Sequence, residues 1–163
     1  MKPEVIAPFM LIDYTWAILK KNTDMKESDY GGLVPIVPLS EAPELTEYAK
    51  PYIVYGYSET PPTDLWVRRR GNMAFVVYGD SFHQLSKITN VLSYTFDRAD
   101  EAARDVNAFT STIPAYIGLT FGTIQVSFVQ GGSPEETEGG RVSSAINLRY
   151  EYHVDYDINT SAL

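Results

Sequence analysis

At 163 residues the chain has the length of one domain, and 44% hydrophobic content is enough to build a core. It contains no cysteine, which excludes disulfides, thiolate metal sites and thiol catalysis. Its formal net charge of −8 disfavours general nucleic-acid binding, because no basic excess is present to displace phosphate counterions. No apolar run reaches the roughly 18 residues of a membrane span. The N-terminus MKPEVIAPFM, interrupted by Glu4 and two prolines, makes a poor signal peptide. The composition reads as a soluble, acidic domain assembled inside the cell.

Ala7 to Lys21 carry Phe9, Ile12, Trp16 and Leu19 at spacings of three and four, which predicts an amphipathic helix ending on Lys20 and Lys21. Residues 22–50 read as an irregular loop broken by Gly31-Gly32, Pro35, Pro38 and Pro43, with a short helical piece from Pro43. PYIVYGYS (51–58) predicts a strand, ETPPTD a turn, and LWVRRRGNMAFVVYG (65–79) a second strand pairing with the first as an antiparallel hairpin. Phe82, Leu85, Ile88, Leu92, Phe96, Ala99, Ala103 and Val106 mark one long helix. Ser81 and Gln84 form a capping box, and Asp97 is a second capping residue at which a kink or break is open.

Tyr116 to Gln130 predict a third strand whose apolar phase flips from Ile117, Leu119 and Phe121 to Ile124, Val126 and Phe128. A bulge beside Gly122 accounts for the flip. A flexible acidic loop follows over 130–141, and then a strand from Val142 to Tyr156 in which every even position except Ser144 is apolar or aromatic. At about 3.3 Å per residue such a strand reaches roughly 50 Å, and it is expected to overhang its own domain. The expected fold class is α+β: a single domain over 1–163 in the order α-β-β-α-β-β. It comprises a mostly antiparallel four-stranded sheet, helices packed on one face, and a long C-terminal β-hairpin.

Gly79-Asp80-Ser81 has the form of an esterase nucleophile turn, but position 150 is Tyr where that chemistry would place an acid before His153. Helix capping accounts for Asp80 and Ser81 without catalysis. Glu151, His153 and Asp155 alternate on one strand face, a weak metal set that a solvated polar face produces by default. Arg68-Arg69-Arg70 is the one basic run; in so acidic a chain it is expected to meet carboxylates of another subunit or of its own loops, the alternative being an exposed, unpaired run. No phosphate loop, dinucleotide fingerprint or zinc spacing is present, so no cofactor is expected and an enzyme is the weaker class.

The element order resembles the tail-terminator (tail-completion) proteins of long-tailed bacteriophages. The N-terminal helix with its Pro/Gly loop, PYIVYG, MAFVVYGDSF before the long helix, and GGRVSSAINLRYEYHVDY carry the resemblance. Residues 31–50 and the acidic linker lie outside it. It implies a structural virion protein, not an enzyme: a homo-hexameric ring that caps the tail tube, ends its polymerisation and offers the surface on which the head docks. The implied partners are the tail tube protein and a head-completion or neck protein, with viral DNA passing through an acidic lumen unbound. The implied location is the virion tail or neck, assembled in the host cytoplasm. The residues expected at subunit or partner contacts are Arg68, Arg69, Arg70, Glu135, Glu136, Glu138, Arg149, Glu151, His153 and Asp155. Another neck or tail-tube subunit is the alternative within this class; a small esterase-like or metal-dependent enzyme is the alternative outside it.

Overall fold

The computed structural model describes residues 7–41, 51–60, 68–113, 118–134 and 142–154. The first helix, α1 (Ala7–Asn22), holds Pro8 in its first turn, where the missing N–H costs no hydrogen bond. Lys20 in its last turn pairs with Glu27 at 2.7 Å and lies over the Trp16 ring. The buried face is wider than the predicted stripe. Met10, Leu11, Tyr14 and Thr15 are buried beside Ile12, Trp16 and Leu19, whereas Phe9, expected inward, is 44% exposed. Thr15 stays satisfied in that core by donating to the Leu11 carbonyl at 2.6 Å.

The segment expected to be irregular contains order. A 3₁₀ turn spans Glu27–Tyr30, a three-residue strand β1 spans Ile36–Pro38, and a second 3₁₀ turn spans Leu39–Glu41. The helical piece expected from Pro43 lies outside the described residues. Strand β1 runs parallel to β2 (Tyr52–Thr60), with Ile53 N donating to Pro35 O at 2.8 Å. Three residues ending on a proline are too few to display a period of two, so this strand left no periodic signal.

The remaining strands are β3 (Arg68–Gly79), β4 (Leu119–Pro134) and β5 (Val142–Val154). The sheet order is β1-β2-β3-β5-β4. The β2–β3 and β4–β5 pairs are antiparallel as expected, and β3–β5, a pairing the sequence did not indicate, is antiparallel too; the parallel β1 makes the sheet five-stranded and mixed rather than four-stranded. The long C-terminal hairpin is present. Strand β4 continues to Pro134, so the expected loop at 130–141 begins as strand, and 135–141 lie outside the described residues.

The position of β5 overturns the expected overhang. It pairs with β3 from Arg68↔His153 to Gly79↔Val142 and with β4 along its other edge. A strand flanked on both sides throughout is the middle of a sheet, not an arm. Its length is matched by neighbours of 12 and 16 residues. Ser144, the exception in its apolar series, is 3% exposed and hydrogen-bonded to Thr89 Oγ1 at 2.6 Å, which pins β5 beneath the helices.

The predicted long helix is two: α2 (Phe82–Phe96) and α3 (Asp100–Thr110). The capping box forms as predicted, with Gln84 N donating to Ser81 Oγ at 3.2 Å and Asp80 N donating to Gln84 Oε1. Phe82, expected inward, is 48% exposed at this helix entry. The break falls at the kink position that Asp97 marks, but Asp97 closes α2 instead of capping α3. Ala99 precedes α3 at φ 48°, a conformation that L side chains resist. Its carbonyl accepts from Ile124 N on β4 at 3.4 Å, so the strained corner also ties α3 to the sheet. Replacing Ala99 by glycine should raise stability by about 1 kcal/mol, read as a higher urea midpoint at unchanged slope.

Helices cover one face of the sheet. Ile53 and Tyr55, then Met73, Phe75 and Val77, then Ile146, Leu148, Tyr150 and Tyr152 meet Leu85, Ile88, Leu92, Phe96 and Val106 in one core. Strand alternation sends the intervening residues to the opposite face, where no α-helix packs among the described residues. Tyr52 is nonetheless buried there and stacks on Tyr78 at 5.2 Å. No described helix is long and apolar enough to cross a membrane.

Candidate interface

The helix-free face gathers several of the expected contact residues at one end of the sheet. Arg70 lies opposite Glu151 in the β3–β5 register, and its Nε donates to Glu151 Oε2 at 2.9 Å. The side chains are 67% and 31% exposed, so the pair contributes at most about 1 kcal/mol to folding. Arg70 thus meets a carboxylate of its own chain, but one on strand β5 rather than on a loop or another subunit as expected. Arg149 and His153 flank Glu151 at two-residue intervals on the same face, and both are exposed. Arg68 is opposite His153 in register. Glu135, Glu136, Glu138 and Asp155 lie outside the described residues.

Arg69 turns to the helix face and joins a different group. Glu59, near the end of β2, accepts from Tyr150 Oη at 3.1 Å and from Tyr152 Oη at 2.9 and 2.8 Å. Both tyrosines are at most 2% exposed and pack against Phe121. Tyr150 reaches Glu59 by crossing β3 at Gly71, which stands opposite both Glu59 and Tyr150. A Cβ at Gly71 would sit 2.4 Å from Tyr150 Cζ and Oη. A carboxylate on β2 is thereby bonded to β5 across the intervening strand.

Burial holds the Tyr150 phenol far above its ordinary pKa, reinforced by the Glu59 charge and by the bond to Glu59. Tyr152 is raised by burial and by its bond to Glu59, partly offset by Arg69. In the unfolded chain both phenols ionise near pH 10, while the folded chain keeps its protons to higher pH. The unfolded state then binds fewer protons, so this contribution is complete below pH 10 and declines as pH rises above it. Urea unfolding measured from pH 9 to 11 should show stability falling with a slope approaching about two protons. Tyr150→Phe should make that slope shallower.

The esterase pattern is not assembled. Ser81 follows the Gly79 end of β3, whereas His153 pairs at the Arg68 end. Eleven strand positions separate those ends, about 35 Å at the usual rise. Ser81 Oγ serves the cap of α2. Among the described residues no group of three or more His, Asp or Glu side chains is placed to hold a metal ion.

Sequence reasoning missed the outer edge of β4, where the sheet order ends. Its first half is closed from within the chain. Asn107 of α3 donates Nδ2 to Phe121 O and accepts from Phe121 N, both at 2.9 Å, and Ala99 O takes Ile124 N. The predicted bulge lies between Phe121 and Thr123, and it turns both Phe121 and Ile124 inward. A second, between Val126 and Phe128, places Phe128 opposite Asn147 on the helix-free face rather than inward. Phe128 is 52% exposed and Val129 43%. A signal was available: from Val106 to Pro134 the sequence contains no charged residue.

No protein-family model and no curated protein matches this sequence.

Proposed function

We propose that this chain is a structural subunit of a closed homo-oligomeric ring. The specific reading is a tail terminator: a hexamer that caps a phage tail tube, ends its growth and offers the neck its docking surface. The observation that carries it is the uneven finish of the sheet. Helices fill one face, while the other presents Arg70, Arg149, Glu151 and His153 together near one end of three long strands. Charged side chains spaced along a stiff surface favour orientation and partner choice over raw affinity. This suits a subunit that must meet identical neighbours, a tube below and a neck protein above. The element order, which resembles the tail-terminator family, gives the reading its class, and the net charge of −8 suits a lumen through which DNA passes without sticking.

The test separates assembly from folding. Arg70→Glu with Arg149→Glu places like charges around Glu151, at a cost to folding of roughly 1 kcal/mol on so exposed a face. The melting temperature should fall by only about 2–4 °C. Ring formation, or capture of the ring by purified tail tubes, should be lost. Unchanged assembly in the double variant removes this face from the interface.

A further inference from the structure

We propose that the outer edge of β4 from Gln125 to Gln130 is a contact strand for a second copy of this chain, met through the neighbour's Tyr30–Ser40 segment. An edge strand offers unpaired backbone groups to any other strand, and chains usually blunt it with charge, proline or a cover. Here the blunting is partial. Among the described residues, Asn107 and Ala99 occupy the edge at Phe121 and Ile124; the strand beyond them is bent by bulges at Val126/Phe128 and Gln130/Ser133 but carries neither charge nor proline before Pro134. Phe128 and Val129 point to opposite faces there, opposite Asn147 and Ile146, so an added strand would find an apolar side chain on each side.

Charge identifies the occupant. Between two copies at −8 each, a surface that carries no charge adds no local repulsion and leaves apolar contact to act. Tyr30–Ser40 is a second uncharged stretch, and it displays Leu33 at 64%, Val34 at 38% and Leu39 at 70% exposure. It surrounds β1, at the far edge of the same sheet from β4. Pro38 deprives β1 of one edge N–H, so this side contributes apolar surface more than a full ladder. Two unlike surfaces at opposite edges make a head-to-tail contact, which closes into a ring when the rotation permits. The head-to-tail geometry rests on the ring reading above; the use of the β4 edge does not.

The test uses the full chain carrying Phe128→Glu with Gln130→Glu, or Leu33→Glu with Leu39→Glu, all at exposed positions. Sedimentation velocity and native mass spectrometry are run up to about 0.5 mM, where contacts of micromolar Kd are largely formed. Wild type is expected to form closed oligomers, and each double variant to assemble at least about 100-fold more weakly with its circular dichroism melt retained. An equimolar mixture of the two variants should give heterodimers and nothing larger, since each supplies the edge the other lacks. Rings that persist in the Phe128/Gln130 variant overturn the edge contact while leaving the ring reading intact. Wild-type filaments or dimers abolished by that variant support the edge and overturn the ring. Normal assembly of the Leu33/Leu39 variant overturns the assigned partner segment, and a wild type that stays monomeric overturns the contact altogether.

Discussion

Replacing Gly71 by valine is expected to lower the free energy of unfolding by about 3 kcal/mol, a large share of the total for a domain of this size. The added Cβ would stand 2.4 Å from the tip of the Tyr150 ring, which is 1% exposed. Either β3 bends away from β5 or the ring moves, and a moved ring loses its bond to Glu59. Overpacking and a lost charge-assisted bond act together. Even Gly71→Ala should destabilise. Its cost should shrink when Tyr150 is changed to leucine, because the atoms that clash are those of the tyrosine ring tip. Urea denaturation of the two single variants and the double variant measures this coupling, and strict additivity would contradict the close approach.

Removing the other end of that contact should cost nearly as much. Glu59→Ala leaves the Tyr150 and Tyr152 hydroxyls, both in nearly inaccessible residues, without the carboxylate that accepts from them. Unsatisfied buried hydroxyls cost about 1–3 kcal/mol each, so a loss of about 2–4 kcal/mol is expected. Adding Tyr150→Phe and Tyr152→Phe to Glu59→Ala should recover part of it, since apolar rings make no such demand. Thermal unfolding followed by circular dichroism reads both effects. A triple variant no better than Glu59→Ala would show that the carboxylate acts through something other than these hydroxyls.

The parts of the fold legible in the sequence are those written in period and phase. The apolar alternation of β5 survives almost residue for residue, and the phase flip around Gly122 marks a real register shift. The Ser81–Gln84 cap is local chemistry and reads directly. Strand β1 left no trace because its pairing with β2 is decided by tertiary contacts, not by its own three residues. The overhang expected of β5 failed for a related reason. Period gives a strand's length but not its neighbours, and β3, some seventy residues earlier, flanks it throughout.

The candidate interface was half legible. Alternation correctly separated Arg69 from Arg70, yet only the long-range register reveals that Arg70 faces Glu151 while Arg69 joins the Glu59–tyrosine group. Glu59 shares the strand face of Ile53 and Tyr55, beyond the exposed Tyr57, and its bond to β5 is not visible in sequence. The absence of charge along β4 is visible in the sequence, but an uncharged strand gains meaning only once it is known to form an edge.

The central claim is that this chain closes into rings. Negative-stain imaging of the purified full chain, paired with native mass spectrometry, tests it most directly. Closed particles of sixfold symmetry with the mass of six subunits are expected. Open tubes of indefinite length, or a monomer at every concentration with tail tubes present or absent, would contradict it.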